Sequence, residues 1–264
     1  MRTWLFLVVL GVVFTVTTPL LPAQTLKFAA IDYCPFSCIP EMENGKEGFM
    51  IEVLREAFPP PSYTLRFDFL PYARAVELVR GGLYDGIVVV GKDYAPDLIY
   101  PDKPTVLQRV IFLTKISFDW RYTGPGSLTD LQLGVVKGYH YVDADLVDYI
   151  AINQYDSTKI RIIHGDATTH RGLQLLLSGR VNAFIEGEYS AMYEVKKHQF
   201  DNRIAIAGFT KNAFEDYSAF SPALANAENL AVTLDQEILR MQINGKLRLI
   251  MASYGVKAEQ NIFN

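Results

Sequence analysis

Val79-Arg80-Gly81-Gly82-Leu83-Tyr84-Asp85-Gly86-Ile87 reads as a helix end, a glycine turn and the start of a buried strand. Leu177-Ser178-Gly179-Arg180-Val181-Asn182-Ala183-Phe184 reads the same way far downstream. A glycine just past a helix takes the left-handed conformation that ends it. The β-branched run Gly86–Val90 has no alternation, as in a strand covered on both faces. The echo therefore places one α/β unit in each half of the chain.

Outward from the first copy, Thr25–Ile31 reads as a strand, and Phe49–Phe58 as a helix with Met50, Val53, Leu54 and Ala57 at helical spacing. Pro59-Pro60-Pro61 stops it. Tyr63–Phe69 alternates, with Leu65, Phe67 and Phe69 on one face, and a helix runs from Tyr72 to Arg80. This βαβαβ order implies parallel strands with right-handed crossovers. Arg109–Lys115 is a further strand. Around the second copy, strands are expected at Gln132–Val136, Lys159–His164, Val181–Glu186 and Arg203–Ala207, with a short one at Tyr217–Phe220. Helices are expected at 141–152, 168–178, 188–197, 223–241 and 246–254. Met50, Met192, Met241 and Met251 read as core fillers rather than a metal-binding set.

The N-terminus carries an address. Arg2 precedes an apolar run from Trp4 to Val16, Pro19 and Pro22 break it, and Leu21-Pro22-Ala23 ends on a small residue. That order fits a secretory signal peptide over residues 1–23, and the run is short for a membrane span, which needs roughly 18 apolar residues. Removing it leaves 24 basic against 29 acidic residues, a net charge of −5. A mildly acidic surface without clustered Lys and Arg argues against nucleic acid, and 50% hydrophobic residues provide for a real core. Cys34 and Cys38 share one loop. In an oxidising compartment they read first as a disulfide. Redox catalysis favours two intervening residues rather than three, and zinc would need two further ligands.

The chain resembles the family 3 periplasmic solute-binding proteins of the polar amino-acid ABC transport type. The resemblance rests on segments in the family's order: Asp32–Phe36, Gly45–Leu54, Tyr72–Ala75, Gly82–Gly86, Leu131–Gly138, Leu176–Ala183, Asn244–Leu247 and Met251–Gly255. It implies an α/β fold of the two-lobed periplasmic-binding-protein type (type II), each lobe a mixed, mainly parallel sheet flanked by helices. Lobe 1 would comprise residues 24–115 and 213–264, and lobe 2 residues 116–212. The two hinge crossings would lie near Thr114-Lys115-Ile116 and Thr210-Lys211-Asn212. A small-molecule ligand would be captured by hinge closure, without cofactor or metal, by a monomer. It would then be passed in the periplasm to an inner-membrane ABC permease or reported to a sensor.

Two departures from the family pattern bear on the ligand. Amino-acid binders of this type clamp the ligand carboxylate with an Arg after the strand matching Gly86–Val90, and here the stretch reads Gly91-Lys92-Asp93-Tyr94. Lys92 offers a point charge in place of the bidentate fork. The acid that grips the ligand ammonium would fall near Gly187, flanked by Glu186 and Glu188. Strand alternation aims these two the same way.

Candidate ligand-binding residues follow the strands. Tyr33 and Phe36 stack on a ligand or pack the rim. Tyr72 and Arg74 open a helix, where Arg74 grips an anion or pairs with Asp85. Lys92 and Tyr94 edge the cleft. Gly138, Tyr139 and His140 lead into a helix whose free N–H groups favour anions. Thr168, with Asp166 and Thr169, opens a lobe 2 helix as ligand contact or cap. Glu186 is the partner for a cation or hydroxyl. The expected function is capture of a small polar or anionic solute. The alternatives are a periplasmic enzyme on the same fold, similar to cyclohexadienyl dehydratases and drawing on Glu186, Asp166, Arg74 and Lys92, or a sensory module.

Overall fold

The computed structural model of the protein describes residues 23–139, 141–165 and 167–256. The leader reading lies outside these residues except for Ala23, and so do His140 and Asp166. The elements run β1 (Gln24–Ala30), α1 (Phe49–Ala57), β2 (Tyr63–Phe69), α2 (Tyr72–Arg80), β3 (Gly86–Val90) and β4 (Val106–Lys115). They continue with β5 (Leu133–Val136), α3 (Ala144–Asn153), β6 (Ile160–Ile163), α4 (Thr168–Leu177), β7 (Ala183–Gly187) and α5 (Glu188–Lys197). The chain closes with β8 (Ile204–Phe220), α6 (Ala227–Ile243) and α7 (Lys246–Ser253). The strands form one mixed, mainly parallel eight-stranded sheet in the order β2-β1-β3-β8-β4-β7-β5-β6. Among the described residues no helix is long and apolar enough to cross a membrane.

The echo in the sequence is an echo in hydrogen bonding. After α2, Gly82 adopts φ +77°, its N–H bonds Val79 O, and Leu83 N–H bonds Leu78 O. After α4, Gly179 adopts φ +73°, with N–H to Leu176 O and Arg180 N–H to Leu175 O. Asp85 and Asn182 then repeat one another. Asp85 accepts from Lys27 N–H and donates its own N–H to Lys27 O. Asn182 does the same with Gln132. Each copy thus pins a helix end and a strand start to the parallel strand paired with it, at Lys27 in β1 and at Gln132 just before β5.

The two copies have separate cores. Phe28, Met50, Leu54, Val88, Val106, Phe220 and Leu234 share one in lobe 1. In lobe 2, Phe112, Leu133 and Ile185 lie on one face of the sheet and Leu113, Leu173 and Phe184 on the other. β4 starts in the first core, at Val106, and enters the second by Val110. The strands expected at Arg203–Ala207 and Tyr217–Phe220 are one, β8. Its polar middle stays extended because β4 pairs with it from Val106↔Asp216 to Lys115↔Ile204. Met50, Met241 and Met251 are buried as expected, but Met192 is 38% exposed. It faces a groove beside α5, while Ala191 and Val195 of that helix point into the core.

One contact in lobe 2 sets an expected result. Gly172 lies in α4 against the ring of Phe184, and a Cβ added there would sit 2.3 Å from the ring. Alanine would favour a helix by about 1 kcal/mol, yet overpacking a filled core costs about 1–3 kcal/mol. Gly172→Ala therefore lowers stability in urea unfolding, and adding Phe184→Leu recovers part of the loss. A more stable Gly172→Ala protein would refute this contact.

Candidate functional site

The carboxyl ends of the strands from both lobes converge on one cavity, as expected for open α/β sheets. Tyr33 follows β1, and Tyr72 is the first residue of α2. Val89 and Val90 end β3 and Gly91 follows it, and Tyr139 and Tyr141 follow β5. Glu186 and Gly187 end β7, while Gln108 and Val110 of β4 and Phe214 and Asp216 of β8 supply the floor. The cavity is about 70 Å³, and five of its lining residues are aromatic. The rings of Tyr33 and Tyr139 meet across the lobes at 5.9 Å, edge to face.

The charged groups in this wall are two carboxylates, set among tyrosine hydroxyls and the Gln108 amide. Asp216 is 2% exposed and takes a 2.6 Å hydrogen bond from Gln108 Nε2. Burial pushes its carboxyl up to about 7, against the opposing effect of that bond. Glu186 is fully buried and accepts from Gly187 N–H at 2.8 Å and Thr169 Oγ1 at 2.9 Å. Burial pushes it up to about 7 as well, although both bonds favour its charged form. Gln108 Oε1 is buried without a hydrogen-bond partner among the described residues. Burial, with Glu186 close by, raises the Tyr33 and Tyr139 hydroxyls well above the ordinary range, so both remain neutral. No Lys or Arg lies among the lining residues.

Of the residues expected from the sequence, Tyr33, Tyr72, Tyr139 and Glu186 line this cavity. Phe36 stands behind it, fully buried and stacked on Tyr33 at 4.9 Å. Tyr94 buttresses Tyr72, ring centres 4.8 Å apart. Lys92 is exposed, with its ammonium over the Tyr100 ring at 5.6 Å. Arg74 is exposed outside the lining, and the Asp85 carboxylate bonds Lys27 N–H. Gly138 adopts φ +80° beside Tyr139, with open space where a side chain would be. Thr168 lines a neighbouring cavity along the seam between the lobes. His140 and Asp166 fall outside the described residues.

Glu186 and Glu188 do not point the same way. β7 ends at Gly187 and α5 begins at Glu188, so alternation stops between them. Glu188 turns outward to Arg109 at 3.2 Å. The loop bearing Tyr33 is closed by the Cys34–Cys38 disulfide, and Ser37 Oγ donates to Ile31 O. Gln108 and Asp216 had no motif in the sequence. The one signal for Asp216 is the acidic pair Glu215-Asp216 in a strand-forming stretch, where alternation must turn one acid inward; Gln108 had none.

By sequence the chain matches no protein-family model and no curated protein. By structure it resembles an ancestral arginine-binding protein bound to arginine, with a TM-score of 0.68 at 16% identity over 88% of this chain and 98% of that one. It also resembles a histidine kinase sensor domain with similarity to periplasmic binding proteins, with a TM-score of 0.70 at 16% identity over 90% and 99%. A third is the amino acid ABC transporter substrate-binding protein AbpA from Streptococcus pneumoniae bound to L-arginine, with a TM-score of 0.66 at 17% identity over 88% and 94%. The chain has the fold of the periplasmic binding proteins.

Proposed function

We propose that this protein is a solute-binding protein whose cleft captures a small organic cation, an ammonium or guanidinium compound. One observation carries the reading. The Glu186 and Asp216 carboxylates and the orphaned Gln108 Oε1 face one cavity with no basic side chain in its lining. Buried acceptors of this kind ask for donors. Tyr33, Tyr72, Tyr139, Tyr141 and Phe214 add ring faces that attract a desolvated cation. The sequence left the solute polar or anionic. The two acids and the outward Arg74 and Lys92 favour the polar, positively charged side of that choice. About 70 Å³ is room for roughly five waters at ~10–15 Å³ each, so a bulkier cation needs the lobes to part.

Parting would bend the β4–β8 ribbon between Val106 and Val110, just before the lobe border expected at 115/116. The fold's likeness and the leader read in the sequence support delivery to a permease or a sensor in the periplasm. The dehydratase-like alternative keeps Glu186, whose neutrality-range titration suits proton transfer, but Arg74 and Lys92 stand away from it. Thermal-shift titration tests the reading. Small alkylammonium and guanidinium ions should raise the Tm by several degrees at saturation, and carboxylates of equal size should not. The reverse order would overturn it.

A further inference from the structure

A second cluster of chemistry lies on the seam, outside the aromatic cavity. Glu194 on α5 and His198, the residue that caps its C-terminus, stand one helical turn apart and share a face. His170, on α4, meets them there, because Leu173, Leu176, Ala191 and Val195 pack the two helices together. His198 Nε2 is 3.2 Å and His170 Nδ1 3.5 Å from the same oxygen, Glu194 Oε2. The imidazole rings are 4.1 Å apart, and one ligand atom from each of the three residues lies within 4.8 Å of the others.

We propose that His170, Glu194 and His198 form a binding site for a divalent transition metal of the zinc class. Zinc bonds imidazole nitrogen at about 2.0–2.1 Å and carboxylate oxygen at about 2.0–2.2 Å. At a tetrahedral angle those lengths put neighbouring ligand atoms about 3.3–3.5 Å apart, close to the two nitrogen–oxygen separations at Glu194 Oε2. Two histidines and a carboxylate are also a donor set that zinc uses when a fourth position stays open.

A second observation points to a missing ligand. His170 Nδ1 is buried without a hydrogen-bond partner among the described residues. Its other nitrogen, Nε2, is 2.8 Å from the Gln174 amide. Gln174 Nε2 faces that nitrogen; rotating the side-chain amide by half a turn, which exchanges O and N within the same outline, holds Nε2–H and leaves the Nδ1 lone pair toward Glu194. This is how an outer partner orients a metal-binding histidine. Lys197 is the competing cation. Its ammonium is 3.7 Å from Glu194 Oε1 and also binds Glu43, which leaves Oε2 to the two imidazoles. All three proposed ligands line a seam cavity of about 210 Å³ together with Asp32 and Glu43 of lobe 1. The open position therefore faces a cavity that both lobes line.

The test uses the untagged mature chain, stripped with chelator and titrated with zinc chloride by calorimetry. One Zn²⁺ per chain is expected. Glu194→Gln and His198→Gln should each weaken it on the order of 100-fold, the upper range for disturbing a metal shell. His164→Gln should leave it unchanged. Circular dichroism of each variant guards against loss of fold, and His198 is a third exposed, so its replacement is mild. No Zn²⁺ uptake by the wild type would overturn the site. Affinity unchanged in both ligand variants, or lost in His164→Gln, would do so too.

Discussion

Asp216→Asn lowers the affinity for a small organic cation by about 100-fold or more at pH 8, the scale of breaking a buried charge pair. The isosteric amide keeps an oxygen for Gln108 Nε2, which now bonds Asp216 at 2.6 Å, so the loss reports charge rather than shape. The wild type carries a matching pH dependence. Burial holds Asp216 and Glu186 at about 7 in the free protein, and a bound cation needs them ionised. Below pH 7 each must first release a proton, which costs about tenfold in affinity per pH unit for each acid that ionises on binding. Affinity therefore rises from pH 5.5 to pH 8 and levels off above, and binding near neutrality expels protons. Calorimetry across that range, in buffers of different ionisation heat, measures both. A flat profile, or a tighter Asp216→Asn protein, would remove the carboxylates from the site.

The same substitution makes the ligand-free protein more stable at pH 8. Here the sign is opposite to that of a salt-bridged carboxylate. The folded pKa of Asp216, about 7, lies above its ordinary 3.8, and that of Glu186, about 7, above 4.5. The folded state holds these protons more tightly than the unfolded chain does. Stability from this source is complete below pH 4, falls as pH rises from about 4 to 7, and stays lost above 7. At ~1.4 kcal/mol per pKa unit, the cost of each acid above pH 7 is on the order of 3–4 kcal/mol. Asparagine carries no such penalty. The Tm of Asp216→Asn should exceed that of the wild type by several degrees at pH 8, and by less at pH 5.5, where the wild-type acid is already protonated. An Asn variant less stable at both pH values would show that the carboxylate is a structural anchor instead. Loss of binding together with gained stability is the signature of a site kept strained for its ligand.

Much of the fold is local, and was legible for that reason. Helix ends at Arg80 and Leu177 are written by the glycines that follow within two residues. The face of β2 is written by the alternation of Leu65, Phe67 and Phe69. The continuity of β8 was not legible, because Thr210-Lys211-Asn212 resembles a loop until β4 is laid beside it. Tyr33, Tyr72, Tyr139 and Glu186 line one cavity because each sits at or just past the carboxyl end of a strand. Lys92 and Arg74 have the same position in sequence, but their side chains turn to solvent.

The sequence by itself determined two α/β units with matched helix ends, a cysteine pair spaced for one loop, and an acid at the end of β7. These are short-range matters of backbone conformation and side-chain period, decided within a few residues. Only the tertiary structure decided the charge of the cleft. Asp216 and Gln108 are 108 residues apart and meet because two antiparallel strands pass between the lobes side by side. Burial at that crossing, not residue type, turns an ordinary aspartate into an acceptor that titrates near neutrality. His170 and His198 likewise face one another only because α4 and α5 share a core.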